Sequence, residues 1–195
     1  MVNSEKGGRN DDRHITVYRF AKVERKGDAG LWRIGNISNR GIMFEVGVSP
    51  CPNEVLTITL SDGLVLRGRV VWSGDGKCGV AFEEAVNACE ILRQIVEDQE
   101  ANRYRPLRVP VSFPAQLLTK DGPVTISVTT LSRSGVSFTC LRDFTPDTEI
   151  FLALIDGVWR EGRICWSRKG QGGLSLKLPF TVPDLESMEQ FQRRV

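Results

Sequence analysis

Five residues near the N-terminus have side chains and a spacing suited to binding an anionic nucleotide. Arg9 and Arg13 stand four positions apart, and the stretch Asn36-x-Ser38-x-x-Gly41 begins 23 positions after Arg13. An arginine guanidinium fits phosphate oxygens and the O6/N7 edge of guanine in bidentate geometry. Asn36 offers a donor and an acceptor to a base edge, Ser38 offers a hydroxyl, and Gly41 allows a ligand or backbone to come close. These residues predict a site for phosphate and guanine.

The same residues also have a purely structural interpretation. Arg9 and Arg13 could be solvated charges on an N-terminal arm, because chain termini often carry unpaired charges. The loop residues could serve only to shape a tight turn, since Ser132 and Gly135 occur in a second copy of the loop where ligand binding looks lost. The sequence leaves both interpretations open.

Few of the residue groupings that enzymes use occur in this chain. His14 is the only histidine, and we expect it to be an exposed or half-buried strand residue. No cluster of His and Cys has metal-ligand spacing, and no glycine-rich phosphate loop opens a helix. We therefore expect no catalytic activity, no metal and no cofactor.

Composition and cysteine usage indicate a soluble cytoplasmic protein. The net charge is only +2, which argues against bulk electrostatic capture of nucleic acid or of a membrane surface. No apolar run approaches 18 residues, and the polar start is unlike a signal peptide. An odd number of cysteines without CxxC spacing predicts reduced thiols, and these are Cys51, Cys78, Cys89, Cys140 and Cys165.

The chain is a tandem duplication with an offset of 94 positions. Residues 36–82 and 130–176 share 13 identities over 47 positions without a gap. The pairs include Trp72 with Trp166, and tryptophan is rare enough that a chance match is uncommon. A repeat of this length is a whole domain. We expect a flexible arm over residues 1–12, a first domain over 13–100 and a second over 101–195.

Each copy has the pattern of a small all-β domain. Short stretches that alternate apolar and polar residues are separated by turns such as Asp62-Gly63 and Asp156-Gly157. About six strands per copy predict two six-stranded antiparallel barrels. A helix is expected after each barrel, from Glu83 to about Glu100 and from Thr181 to Val195, the second with Asp184 as its N-cap. Trp72 and Trp166 are expected to pack on the barrels rather than to stack on a guanine.

The first copy resembles a PilZ domain over residues 9–98. The resemblance rests on Arg9-x-x-x-Arg13, on Asn36-x-Ser38-x-x-Gly41, and on a barrel that ends Val-Val-Trp, Gly-Val-Ala-Phe and a helix. It implies that the domain binds the bacterial second messenger cyclic di-GMP through the arginine arm and the Asn36 loop. It also implies a receptor or adaptor without catalytic activity, whose arm wraps over the barrel when the ligand binds.

The second copy resembles the same family over residues 103–192 but departs from its motifs. Arg108 takes the place of the second arginine, while Tyr104 falls where the first is expected. Thr130 replaces the asparagine, so that only Ser132 and Gly135 remain of the loop motif. We expect this second site to be degenerate and to bind no ligand.

The sequence predicts a signalling receptor that binds cyclic di-GMP in its first barrel and switches the interaction with an unidentified protein. The main alternative is a protein-interaction adaptor that binds no nucleotide in either barrel. A barrel that binds single-stranded nucleic acid is a third interpretation, but only 8% of residues are aromatic and the charge is nearly balanced. We therefore expect no nucleic-acid partner.

Overall fold

The computed structural model describes residues 15–100, 105–154 and 159–191. Strands account for most of these residues. In the first half of the chain they are β1 (Ile15–Arg25), β2 (Asp28–Ile37), β3 (Gly41–Glu45), β4 (Val55–Ser61), β5 (Leu64–Gly74) and β6 (Lys77–Phe82), followed by helix α1 (Ala88–Glu100). In the second half they are β7 (Val109–Thr119), β8 (Gly122–Ser132), β9 (Gly135–Thr139), β10 (Glu149–Ala153), β11 (Trp159–Arg168) and β12 (Gln171–Leu176).

Each set of six strands closes into an antiparallel barrel, as predicted. The strand order is β1-β2-β3-β6-β5-β4 in the first barrel and β7-β8-β9-β12-β11-β10 in the second. The irregularities repeat as well, because bulges occur between Ile34 and Asn36 and, 94 positions later, between Val128 and Thr130. Equivalent registers and bulges confirm that the two domains are copies of one fold.

Alternating side chains fill each barrel with its own apolar core. Trp32 and Phe44 meet edge to face in the first core, with ring centroids 5.5 Å apart. Phe138 is buried in the second core, where it meets Phe144 at 5.9 Å. Buried aromatic pairs of this kind add to the stabilisation that comes from burial alone. Each barrel therefore has a buried aromatic pair in its core.

Helix α1 begins five residues later than the sequence predicts. The expected start was Glu83, but the chain from 83 to 87 is not helical and α1 starts at Ala88. The Asn87 side chain acts as the cap, since its Oδ1 accepts a hydrogen bond from the Glu90 amide at 3.1 Å. The buried face of α1 consists of Ala88, Ile91 and Ile95.

The predicted helix over residues 181–195 is wrong within the described part of the chain. Two short 3-10 turns occur instead, Pro183–Leu185 and Met188–Phe191. Asp184 lies inside the first turn and makes no N-cap bond there; its Oδ2 accepts from the Thr181 amide at 2.7 Å. The apolar residues Leu185, Met188 and Phe191 of this segment are all buried.

Contacts with the first barrel explain why this segment is not an α-helix. The amides of Met188 and Glu189 both donate to Oδ1 of Asp28, at 2.9 and 3.2 Å. The carbonyl of Glu186 accepts from the Trp32 indole at 2.9 Å. Backbone groups that would pair within an α-helix are thus satisfied by the other barrel. The C-terminal segment therefore joins the two barrels.

Apolar side chains complete this junction. Leu31, on β2 of the first barrel, belongs to the core cluster of the second barrel, and Phe20 and Ala29 pack against that cluster. Arg133 lies over the Phe20 ring, 4.6 Å from its centroid. The Glu186 carboxylate is also nearly buried and accepts from the Gly47 amide at 2.7 Å. Polar and apolar contacts together fix how the barrels pack.

Candidate functional site

The predicted loop residues line one groove on the outer face of the first barrel. The groove has a volume of about 380 Å³ and lies between the start of β3, the bulge of β5 and the facing part of β6. Its walls are Asn36, Ser38, Arg40, Gly41, Ile42, Met43, Val71, Trp72, Gly79, Val80 and Ala81. Asn36, Ser38 and Gly41 are thus brought together as the sequence spacing suggests.

Asn36 presents its amide to the groove, and its only side-chain hydrogen bond within residues 15–100, 105–154 and 159–191 is a weak one. It follows the β2 bulge, opposite Met43 on β3 and Thr16 on β1. Its Nδ2 contacts the Met43 thioether at 3.8 Å, and sulfur is only a weak acceptor. The side chain is half-buried, so most of its hydrogen-bonding capacity is available to a ligand.

Ser38 shapes the loop, a role that the sequence left open beside ligand binding. Its side chain is only 4% exposed, and its hydroxyl donates to the Gly41 carbonyl at 3.3 Å and accepts from the Arg40 amide at 3.4 Å. Ser132 in the second barrel donates in the same way to Gly135, at 3.0 Å. The hydroxyl therefore closes the loop in both copies.

Gly41 is required by the packing of the barrel wall. A Cβ at this position would lie 2.5 Å from the carbonyl oxygen of Val80 on β6. The equivalent Gly135 has the same restriction, because a Cβ there would lie 2.7 Å from the Leu174 carbonyl oxygen. Close approach of the neighbouring strand thus explains the glycine in both loops. Packing alone therefore explains Gly41, and any contact with a ligand would be a second role.

Trp72 forms one wall of the groove and remains 46% exposed. Its indole lies against Gly79, where a Cβ would come within 2.1 Å of the Trp72 Nε1. A bulge between Val70 and Trp72 turns the side chain onto the outer surface. The tryptophan therefore packs on the barrel wall, as expected, while one part of the ring stays accessible from the groove.

The motif loop also holds the N-terminus of helix α1, which sequence reasoning missed. The side-chain Oδ1 of Asn39 accepts a hydrogen bond from the Ala88 amide at 3.0 Å. Its backbone carbonyl accepts another from the Val86 amide at 2.8 Å. A helix start needs acceptors for its first amides. The loop is thus connected directly to α1.

Arg9 and Arg13 lie outside the described residues, so their part in the site stays a prediction. The structure does show where the strand that follows them begins. Thr16 pairs with Asn36, and Ile15 pairs with Ile37. The N-terminal end of β1 is therefore next to the Asn36 loop.

The equivalent region of the second barrel is arranged differently. Arg108 donates through Nη1 to the Ser137 hydroxyl at 2.7 Å and to the Thr130 hydroxyl at 3.4 Å. Thr130 and Ser137 stand where the first barrel has Asn36 and Met43. The second barrel thus pairs its own arginine with the positions that in the first barrel face the groove.

The described residues offer little for acid–base or metal chemistry. Burial raises the pKa of the Cys78 thiol to about 12, so this core cysteine is not a thiolate at neutral pH. In the described ranges no group of three or more His, Cys, Asp or Glu side chains is placed to hold a metal ion. Nor does any helix in the described part of the chain have the length and apolar character needed to cross a bilayer.

Comparison with known proteins finds the same domain in both halves of the chain. Residues 8–98 and 99–195 each match the profile of the PilZ domain. No curated protein matches the chain.

Several solved structures resemble the chain at low identity. The PlzA protein of Borreliella burgdorferi in complex with c-di-GMP has a TM-score of 0.38 and 11% identity, over 91% of this chain and 86% of that one. The Bacillus subtilis inhibitor of motility (MotI/DgrA) has a TM-score of 0.33 and 10% identity, over 86% and 91%. Escherichia coli YcgR in complex with c-di-GMP has a TM-score of 0.31 and 13% identity, over 90% and 81%.

Proposed function

This chain belongs to the PilZ domain family, and we propose that it is a non-catalytic receptor whose first barrel binds cyclic di-GMP. The ligand occupies the groove at Asn36, Ser38 and Gly41. Arg9 and Arg13 close over it from the N-terminal arm.

The observation that carries this proposal is the pairing of Thr16 with Asn36. Arg13 is three residues before Thr16, and three residues of extended chain span at most about 11 Å. The root of the arm is therefore tied to the rim of the groove, and a bidentate guanidinium suits both the phosphates and the guanines of the ligand. The half-buried Asn36 amide, which within the described residues contacts only the Met43 thioether, then donates to and accepts from a guanine edge.

A difference between the barrels supports a single site. In the second barrel Thr130 replaces Asn36, and Arg108 is engaged by Thr130 and Ser137. A ligand would have to displace these hydrogen bonds without gaining an asparagine contact. The second barrel therefore serves as an interaction module, and the expected stoichiometry is one site per chain.

Binding is expected to act as a switch on an unidentified protein partner. Ordering the arm across the groove changes the surface of the first barrel. The free and bound states then offer different surfaces to a protein partner. The Asn39 bonds to Val86 and Ala88 give a path from the motif loop to helix α1. A ligand that changes the loop would thus bias the position of α1.

Titration calorimetry of the full chain with cyclic di-GMP tests the receptor proposal. We expect saturable heat at micromolar concentrations with one site per chain, and at least tenfold weaker binding by Arg13→Ala. Arg108→Ala is the matched control, because its guanidinium belongs to the second barrel, and it should bind like the wild type. Absence of heat with the wild type would contradict the proposal.

One observation favours a second candidate function, an adaptor that binds no nucleotide. Ser38 and Gly41 have structural roles that recur at Ser132 and Gly135, so these two motif residues do not require a ligand to explain them. A pull-down distinguishes the two functions. An adaptor would recover the same partner with and without cyclic di-GMP, and also after both Arg9 and Arg13 are changed to alanine.

A further inference from the structure

Three exposed arginines on the first barrel have no ion pair among the described residues: Arg40, Arg67 and Arg69. Several other arginines of the described ranges, including Arg93, Arg160 and Arg163, have a carboxylate partner. Examples are Arg25 with Asp28 at 3.2 Å and Arg33 with Glu45 at 3.3 Å. Uncompensated guanidinium groups on one barrel face make that face attractive to anions.

Two of these arginines flank the outer part of the groove. Arg40 is part of the groove wall and immediately precedes Gly41. Gly41 pairs with Ala81, which in turn pairs with Arg69 on β5. Because neighbouring strands lie about 4.8 Å apart, the Cα atoms of Gly41 and Arg69 are separated by roughly 10 Å across the groove residue Ala81. Arg69 and Ala81 are both exposed on the outer face.

Arg67 lies on the same strand but faces a different depression. It pairs with Thr57 on β4 and lines a cavity of about 300 Å³ together with Glu83 and Glu84. The two carboxylates make that cavity a poor place for an anion. Arg67 and Arg69 are therefore both exposed and lie on the same strand, but Arg67 does not border the groove.

The second barrel lacks this pair of free arginines. Ser134 stands in place of Arg40. Arg163 stands in place of Arg69, but it forms an ion pair with Asp147 at 3.2 Å. The second barrel thus keeps the same fold without these two free charges. It is also the copy whose nucleotide-binding motif is incomplete. Maintenance of the barrel does not explain the charges of the first copy.

We propose that Arg40 and Arg69 form a phosphate clamp at the outer rim of the groove and contact one phosphodiester of the bound cyclic dinucleotide. This inference rests on the proposed function, and it adds two contacts that the arm and loop motifs do not include. Guanidinium groups on both sides of Ala81 can donate to the oxygens of one phosphate. Asn36 and Trp72, on the other part of the groove, then face a base.

Calorimetric titration of cyclic di-GMP into single and double variants tests the clamp. We expect Arg40→Ala and Arg69→Ala each to weaken binding about tenfold, as for the loss of one hydrogen bond to a charged group. Arg67→Ala and Arg163→Ala are the matched controls and should bind within about twofold of the wild type. Far-ultraviolet circular dichroism and melting curves of all variants should overlay, since none of the side chains is buried.

The possible outcomes separate this inference from the receptor proposal. A wild type that binds, with Arg40→Ala and Arg69→Ala unchanged, overturns the clamp and leaves the receptor. Equal losses for Arg67→Ala and Arg69→Ala also overturn it, because general electrostatic attraction would then explain the effect. A wild type that does not bind overturns both proposals.

Discussion

The side chain of Asn39 accepts a hydrogen bond from the amide of Ala88 at 3.0 Å, which places the first amide of helix α1 on the motif loop. The two residues are 49 positions apart in the chain. The loop that carries Asn36, Ser38 and Gly41 is therefore also part of the helix cap. The loop and the start of α1 thus share two hydrogen bonds.

Loss of this cap should destabilise the first domain measurably. We expect Asn39→Ala to lower the free energy of unfolding by about 1 kcal/mol, the usual effect of removing a helix-capping side chain. Urea denaturation followed by tryptophan fluorescence measures it. Asn39→Asp keeps an acceptor beside the positive end of the helix and should retain the stability. Equal losses in both variants would contradict a capping role.

The motif glycines should be intolerant of a methyl group in both barrels. Gly41→Ala and Gly135→Ala place a Cβ at 2.5 and 2.7 Å from carbonyl oxygens of the adjacent strands. The strands must separate, and we expect losses of about 1–3 kcal/mol in unfolding free energy. Gly74→Ala is the control, because its Cβ would meet open space. A Gly135→Ala variant as stable as the control would show that the wall tolerates the methyl group.

The carboxylate of Asp28 is central to the junction between the barrels. Its side chain is 2% exposed and accepts the amides of Ala29, Met188 and Glu189. Asp28→Ala leaves these donors without their partner, and we expect a loss of at least about 2 kcal/mol. Differential scanning calorimetry should change from one unfolding transition to two. The exposed turn residue Asp62 supplies the control, and Asp62→Ala should leave a single transition.

Thiol reactivity should separate Cys78 from the exposed cysteines. Burial raises the Cys78 pKa to about 12, so the reactive thiolate forms only near that pH and is absent at pH 8. Cys51, Cys89 and Cys165 are exposed and should react with Ellman's reagent in the folded protein. Cys78 should react only after denaturation. Mass spectrometry of labelled peptides assigns each site, and labelling of Cys78 without unfolding would contradict its burial.

The fold could be predicted well from the sequence because its signals are local or duplicated. Alternating strands and the 94-residue repeat gave the barrels. The errors occurred where distant contacts decide the local structure. Asn39 accepts a hydrogen bond from the first amide of α1 from a separate loop, alongside the Asn87 cap, and Asp28 accepts hydrogen bonds from amides of the C-terminal segment about 160 positions away. Neither contact leaves a pattern in the residues it reshapes.

The groove loop was predictable from its motif residues, while the other walls of the groove were not, and the binding role of the motif stays a prediction. The spacing of Asn36, Ser38 and Gly41 located the loop, yet it could not show that the Ser38 hydroxyl is used by the loop itself. Trp72 joins the groove wall through strand pairing, because β5 meets β3 only by way of β6. The role of Arg9 and Arg13 stays a prediction.

The most direct test of the account follows the four tryptophan indole signals in a nitrogen–proton NMR spectrum during titration with cyclic di-GMP. Trp72 lines the proposed groove, while Trp166 has the same exposure, 46%, on the second barrel. The account predicts that the Trp72 indole and the amides of Gly41 and Gly79 shift to saturation, with Trp166 unchanged. Shifts at Trp166 alone, or none at any indole at millimolar ligand, would contradict it.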